Sequence, residues 1–224
     1  MTSSRIRLLL LDFDGTLADT RRANTLAYVQ TLREAGYPLT EEEYEKRYFG
    51  MRCNEFLTHF GIADPAERER LRLRKIALYP RFFDTVRLNR PLWEFCRQFR
   101  AGGGRVWIVS TGSRANIENV MAHLGIGVAP RNGGTDAAQP CAEGKHASAA
   151  HGRPAAPDYR AHEGLVDGLL SGADVAHSKP APDCFLKAME IEGATPSETL
   201  IFEDSEIGLE AARRSGAGYF KVVL

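Results

Sequence analysis

The chain has 224 residues, 43% of them hydrophobic, enough for one large domain or for a core domain with a small second one. Lysine and arginine number 29, as do aspartate and glutamate, so the formal net charge is zero and no block of like charge suits nucleic acid or a membrane surface as partner. Four scattered cysteines, Cys53, Cys96, Cys141 and Cys184, form no Cys-x-x-Cys pair, which argues against a disulfide framework and fits a reducing cytoplasm.

Residues 6–13 form a continuous apolar run without alternation, as expected of a strand buried on both faces of a parallel sheet. Its hydrophobic part is too short for a signal or membrane segment, so a soluble, cytoplasmic protein is expected. Residues 18–85 carry no strand signal and read as helices. Thr40 with Glu43 makes a capping box, and Asp64-Pro65 with Glu67 opens a helix bearing Leu71, Leu73, Ile76, Leu78 and Tyr79 among many arginines. Strand-like runs return at 105–110, 199–204 and 219–223, with a shorter one at 169–173. Between them, Ser113 caps a helix to about Leu124, Pro182 sits at the first turn of another that stops at Gly193, and Ser205 begins a third closed by Gly216. Strands alternating with helices predict right-handed crossovers and a Rossmann-like three-layer α/β sandwich with a parallel sheet.

The predicted organisation is a discontinuous core, residues 1–16 and 86–224, with a small all-helical cap at 17–85. Residues 128–163, rich in Ala, Gly, Pro and His, bury too little to offset ordering and are expected to be a flexible loop within the core. Cys141, His146, His151 and His162 of that stretch match no compact zinc spacing. Cys53, Trp93 and Trp107 read as packing residues.

Ligands of open parallel sheets bind at the carboxyl ends of the strands. Four groups lead there: Asp12-Phe13-Asp14-Gly15-Thr16, Ser110-Thr111-Gly112, Lys179 before its helix, and Glu203-Asp204. Alternation points Asp12 and Asp14 the same way. Their repulsion invites a cation, and such oxygen-rich sites suit Mg2+. Asp204 adds a carboxylate, with Glu203 behind it or reaching the ion through water.

These motifs, DFDGT, STG, the lysine of HSKPAPD and IFEDSEIGLEAA, together resemble the haloacid dehalogenase (HAD) superfamily of phosphotransferases. The resemblance implies a magnesium-dependent phosphatase of a small phosphorylated metabolite. In it Asp12 is the nucleophile that becomes an aspartyl phosphate and Asp14 the general acid and base. Lys179 neutralises phosphoryl charge, the Ser110 hydroxyl holds phosphoryl oxygens, Gly15, Thr16, Thr111 and Gly112 surround the phosphate, and Asp12, Asp14, Asp204 and Glu203 hold the metal. Asp14 favours phosphoryl chemistry over dehalogenation, and no Gly-Lys-Ser/Thr loop points to a P-loop enzyme. A cap after the first motif resembles the helical-cap group, phosphoglycolate phosphatase and beta-phosphoglucomutase among it. Arg52 is its candidate grip on a substrate anion. Mutases of that group carry a histidine where this chain has Asn24, which favours hydrolysis. A phosphohexose mutase and a non-catalytic phosphometabolite-binding relative are the alternatives. Sugar phosphates, phosphoglycolate and nucleoside monophosphates all stay open as substrates.

Overall fold

A computed structural model describes residues 5–130 and 164–224. Nearly all of the segment 128–163, including Cys141, His146, His151 and His162, lies outside the described residues.

The central strand β1 is Leu8–Leu11, whose four leucines are all fully buried, as its unbroken apolar run predicts. A two-residue strand β2 (Ala18–Asp19) leads into α1 (Arg21–Glu34), α2 (Glu41–Arg47), α3 (Cys53–His59), α4 (Pro65–Leu78) and a 3-10 turn (Tyr79–Thr85). Then follow β3 (Arg87–Leu88), α5 (Arg90–Ala101), β4 (Arg105–Val109), α6 (Arg114–His123) and β5 (Ile126–Val128). After the undescribed stretch come β6 (Gly164–Val166), β7 (Gly168–Leu170), α7 (Asp183–Glu192), β8 (Thr199–Glu203), α8 (Glu206–Ser215) and β9 (Gly218–Lys221).

Five strands form one parallel sheet in the order β7-β4-β1-β8-β9. One face packs Leu9, Leu11, Val106 and Ile108 against Trp93 and Cys96 of α5 and Ile117, Val120 and Met121 of α6. The other packs Leu8, Leu10, Trp107, Val109 and Ile201 against Phe185, Ala188 and Met189 of α7 and Ala211 and Ala212 of α8. Alternate residues of one strand thus serve opposite layers, and the result is the expected three-layer sandwich. The helices between β2 and β3 bury a third cluster, including Tyr28, Leu32, Tyr44, Phe56, Leu57 and Leu71. Among the described residues no helix is long and apolar enough to cross a membrane.

Local signals placed the helix ends well. Ser113 accepts from the backbone N–H of Asn116, Ser205 from that of Gly208 and Asp64 from that of Ala66. Gly193 and Gly216 close α7 and α8 in the left-handed region, at φ 60° and 78°. Thr40 makes half of its capping box, accepting from the N–H of Glu43, while the Glu43 carboxylate turns to Arg47.

Several expectations need correction. Residues 18–85 are not free of strand, since Ala18–Asp19 pairs antiparallel with Arg87–Leu88. A two-residue ribbon has no periodicity to read, and it exists because the chain leaves and re-enters the core side by side. The run at 219–223 is not a buried strand: β9 is an exposed edge, with Tyr219 42% and Phe220 57% accessible. Leu73 points outward and Lys75 takes the inner face of α4 with Leu71 and Leu78, at i, i+4 and i+7.

Candidate active site

The sheet register builds the site. Leu11 pairs with Ile108 on one side and Phe202 on the other, so the next residues, Asp12, Val109 and Glu203, emerge level at the carboxyl edge. The strand stops there because the chain folds back, Leu17 and Ala18 both donating to the carbonyl of Phe13.

Lys179 enters this edge from the loop before α7. Its Nζ donates to Asp12 Oδ1 at 2.7 Å, to Glu203 Oε1 at 2.5 Å and to the carbonyl of Val109 at 3.1 Å. All three ammonium protons are therefore used. Burial opposes the lysine charge, but Asp12 and Glu203 outweigh it and hold the ammonium above the ordinary lysine range. For Asp12, burial and the nearby Glu203 charge push the carboxyl up, while Lys179 pulls it down. Glu203 is anchored from behind, accepting from both the N–H and the hydroxyl of Ser205.

Asp14 is held separately. Its Oδ1 accepts from the Thr20 hydroxyl. Burial raises its carboxyl, with the Thr20 hydrogen bond and the charges of Lys75 and Lys179 working against the rise. Ser110 is buried, its Oγ accepting from the N–H of Gly112 at 3.1 Å, which leaves its own proton for another acceptor. Gly112 keeps the space between Ser110 and Asp14 narrow: a β-carbon there would lie 3.3 Å from Ser110 Oγ and 3.5 Å from Asp14 Oδ2.

Gly15 and Thr16 do not lie on the wall of the pocket; they stand behind Asp204. Thr16 Oγ1 donates to Asp204 Oδ1 at 3.2 Å. At Gly15, φ is +91° and a β-carbon would sit 2.3 Å from Asp204 Oδ2. Gly15→Ala is therefore expected to cost about 1–3 kcal/mol of stability, measured by urea unfolding, through backbone strain and displacement of Asp204.

These strand ends open into a cavity of about 930 Å³, closed on the far side by the helices between β2 and β3. Thr111, Gly112 and Arg52 all line it, Arg52 from the opposite wall. Tyr28, Tyr44, Phe49 and Tyr79 make that wall aromatic. Sequence reasoning missed Thr20, Lys75 and Ser205 as partners of the site. The signal for Lys75 was its place on the apolar stripe of α4, where a lysine is out of pattern.

Oxygens of Asp12, Glu203 and Asp204 lie within 4.8 Å of one another. Asp14 is not in that group, and its Oδ1 accepts from Thr20. Of the three carboxylates in that group, Asp12 and Glu203 share the ammonium of Lys179, which leaves the group a formal two positive charges short. Burial also raises Asp204, with Glu203 adding to the rise. An all-oxygen donor set short of two positive charges fits Mg2+.

A family model described as haloacid dehalogenase-like hydrolase matches residues 6–216. Protein CbbY of Rhodobacter capsulatus is 26% identical over 94% of this chain and 82% of its own length. Fructose-1-phosphate phosphatase YqaB of Escherichia coli is 25% identical over 93% of this chain and 92% of its own. A crystal structure of CbbY from Rhodobacter sphaeroides in complex with xylulose-(1,5)bisphosphate superposes with a TM-score of 0.70 at 21% identity, covering 96% of this chain and 84% of that one.

Proposed function

Because the chain belongs to the haloacid dehalogenase-like hydrolases, we propose that it is a magnesium-dependent phosphatase that releases phosphate from a small phosphorylated metabolite by way of an aspartyl phosphate. The observation that carries this reading is the buried bridge from Lys179 to Asp12 and Glu203 at the carboxyl edge of the sheet. It sets a carboxylate oxygen of Asp12 beside a buried cation at the floor of a cavity large enough for a phosphorylated metabolite.

A carboxylate oxygen of Asp12 attacks phosphorus, and the bond to the ester oxygen breaks with its electron pair on the leaving oxygen. Asp14, raised by burial, gives that oxygen its proton. In the second half the Asp14 carboxylate takes a proton from water, the water oxygen attacks phosphorus, and the bond to Asp12 breaks to free inorganic phosphate. Lys179 opposes charge on the phosphoryl oxygens, and Ser110, oriented by the N–H of Gly112, donates its free proton to one of them. Magnesium held by Asp12, Asp204 and Glu203 would offset the repulsion between anionic nucleophile and anionic phosphate.

Residues 17–85 act as the cap over a core of residues 1–16 and 86–224, excluding water during the reaction. Arg52 on the cap wall grips an anionic part of the substrate. The cavity size favours a sugar phosphate, the substrate class that the fructose-1-phosphate phosphatase among the relatives is named for. Asn24 has no titrating proton, which favours hydrolysis over phosphohexose mutation. Free thiols at Cys53, Cys96 and Cys184 favour the cytoplasm.

Phosphate release from a panel of sugar phosphates, phosphoglycolate and nucleoside monophosphates is expected with millimolar magnesium, and is expected to fall at least about a hundredfold in excess chelator. Restoring magnesium should restore it. Release that ignores the chelator, or none from any ester by the folded chain, overturns the reading.

A further inference from the structure

Helix α6 starts just past Ser110-Thr111-Gly112 and lays one face along the cavity, Ser113, Asn116, Ile117 and Val120 at i, i+3, i+4 and i+7. Ile117 and Val120 are buried in the cluster that packs against the sheet. Asn116 is half-buried beside them, an amide where the stripe calls for an apolar side chain. Its Oδ1 is buried without a hydrogen-bond partner, alone in this among the buried side-chain nitrogens and oxygens of the described residues. The helix end does not use the amide, because its cap is the Ser113 hydroxyl, which accepts from the backbone N–H of Asn116 at 3.4 Å. A buried acceptor left unpaired is destabilising, and leucine, with the same branching, would avoid that cost. The amide therefore has its use when the cavity is filled.

What Oδ1 lacks is a donor. Phosphoryl, carboxylate and carbonyl oxygens only accept, whereas hydroxyl and ammonium groups donate. Arg21, Arg52 and Arg72 line the same cavity from the cap side and disfavour an ammonium. A hydroxyl remains, and because it also accepts, it suits the amide turned either way. A bound ester pushes solvent off this wall, so the donor has to come from the ester itself. The wall also lies close to the chemistry. A β-carbon on Gly112 would be 3.5 Å from both Asp14 Oδ2 and Cγ1 of Ile117, the neighbour of Asn116.

We infer that Asn116 is a specificity residue that accepts a hydrogen bond from a hydroxyl of the leaving group, so that the site selects phosphorylated sugars and polyols. The inference rests on the phosphatase reading and narrows its substrate class. Phosphoglycolate, whose carboxylate only accepts, leaves Oδ1 unpaired. A site built to bond a hydroxyl rejects an ester without one, because its own buried polar atom then stays unmatched.

Two esters with one carbon skeleton test it: sorbitol 6-phosphate, with hydroxyls along its chain, and n-hexyl phosphate, with none. With magnesium, the wild-type chain should favour the sorbitol ester at least about tenfold in kcat/KM. Asn116→Leu should reduce that preference to within about twofold, the loss falling on the sorbitol ester. Asn116→Ala, which places no new bulk in the cavity, should do the same. Thermal melting of Asn116→Leu is expected at or above the wild-type midpoint, since the unpaired acceptor is gone, which separates the effect from misfolding. A wild-type chain without the preference, a preference that survives both substitutions, or equal losses on the two esters would overturn the inference and leave the phosphatase reading standing. Release from neither ester, nor from any other, by the folded wild-type chain would overturn that reading, and the inference with it.

Discussion

Asp12→Asn is expected to reduce magnesium-dependent phosphate release at least about a thousandfold while leaving the fold intact. The amide is nearly the same size as the carboxylate, and its carbonyl oxygen can still accept from Lys179 where Asp12 Oδ1 does now at 2.7 Å. It has no anionic oxygen with which to attack phosphorus. Loss of one charge beside the buried Glu203 carboxylate also removes repulsion, since burial and Glu203 already push the Asp12 carboxyl up. The variant should therefore melt at or above the wild-type midpoint. Single-turnover rates beside circular dichroism check both halves. A variant that hydrolyses its ester at the wild-type rate would falsify the assignment of the nucleophile.

The second large effect is one of stability. Lys179→Met is expected to cost about 3–5 kcal/mol in urea unfolding, because it leaves Asp12 and Glu203 buried and facing each other without their shared cation. Activity should go with it. The contrast with Lys75 is in the partners: both ammonium groups are buried, but only Lys179 is bridged to carboxylates. Adding Glu203→Gln to Lys179→Met should recover part of the loss, since one of the two stranded charges is then gone. The measurement belongs in chelator, where no bound cation takes over the role of the lysine. A loss below about 1 kcal/mol would mean that water or rearrangement already compensates the pair.

Much of this was readable along the chain. The apolar run around Leu8–Leu11 carried no alternation, and the strand is buried on both faces. Ser113, Ser205, Gly193 and Gly216 marked helix ends because each acts on backbone groups within three residues of itself. Polar groups stood at the ends of apolar runs, and parallel pairing brings the ends of β1, β4 and β8 to one edge. The expectation that Asp12, Ser110, Lys179 and Glu203-Asp204 meet there followed from topology alone.

Other features depended on segments far apart. Leu73 and Lys75 both lie near the apolar stripe of α4, and only the packing of that helix against α1 decides that the lysine turns inward to Asn24. Gly15 and Thr16 sit next to the phosphate chemistry in sequence, yet the approach of Asp204 claims them as its support. Alternation made Asp14 equivalent to Asp12, yet its Oδ1 accepts from Thr20 and it stands outside the cluster of Asp12, Glu203 and Asp204. The chain by itself determined which residue types gather at the carboxyl edge, because hydrophobic runs, caps and crossovers are set by neighbours in sequence. Only the tertiary structure decided which oxygen meets which cation, because such contacts join atoms as far apart as Asp12 and Lys179, 167 residues along the chain, and change at the scale of an ångström.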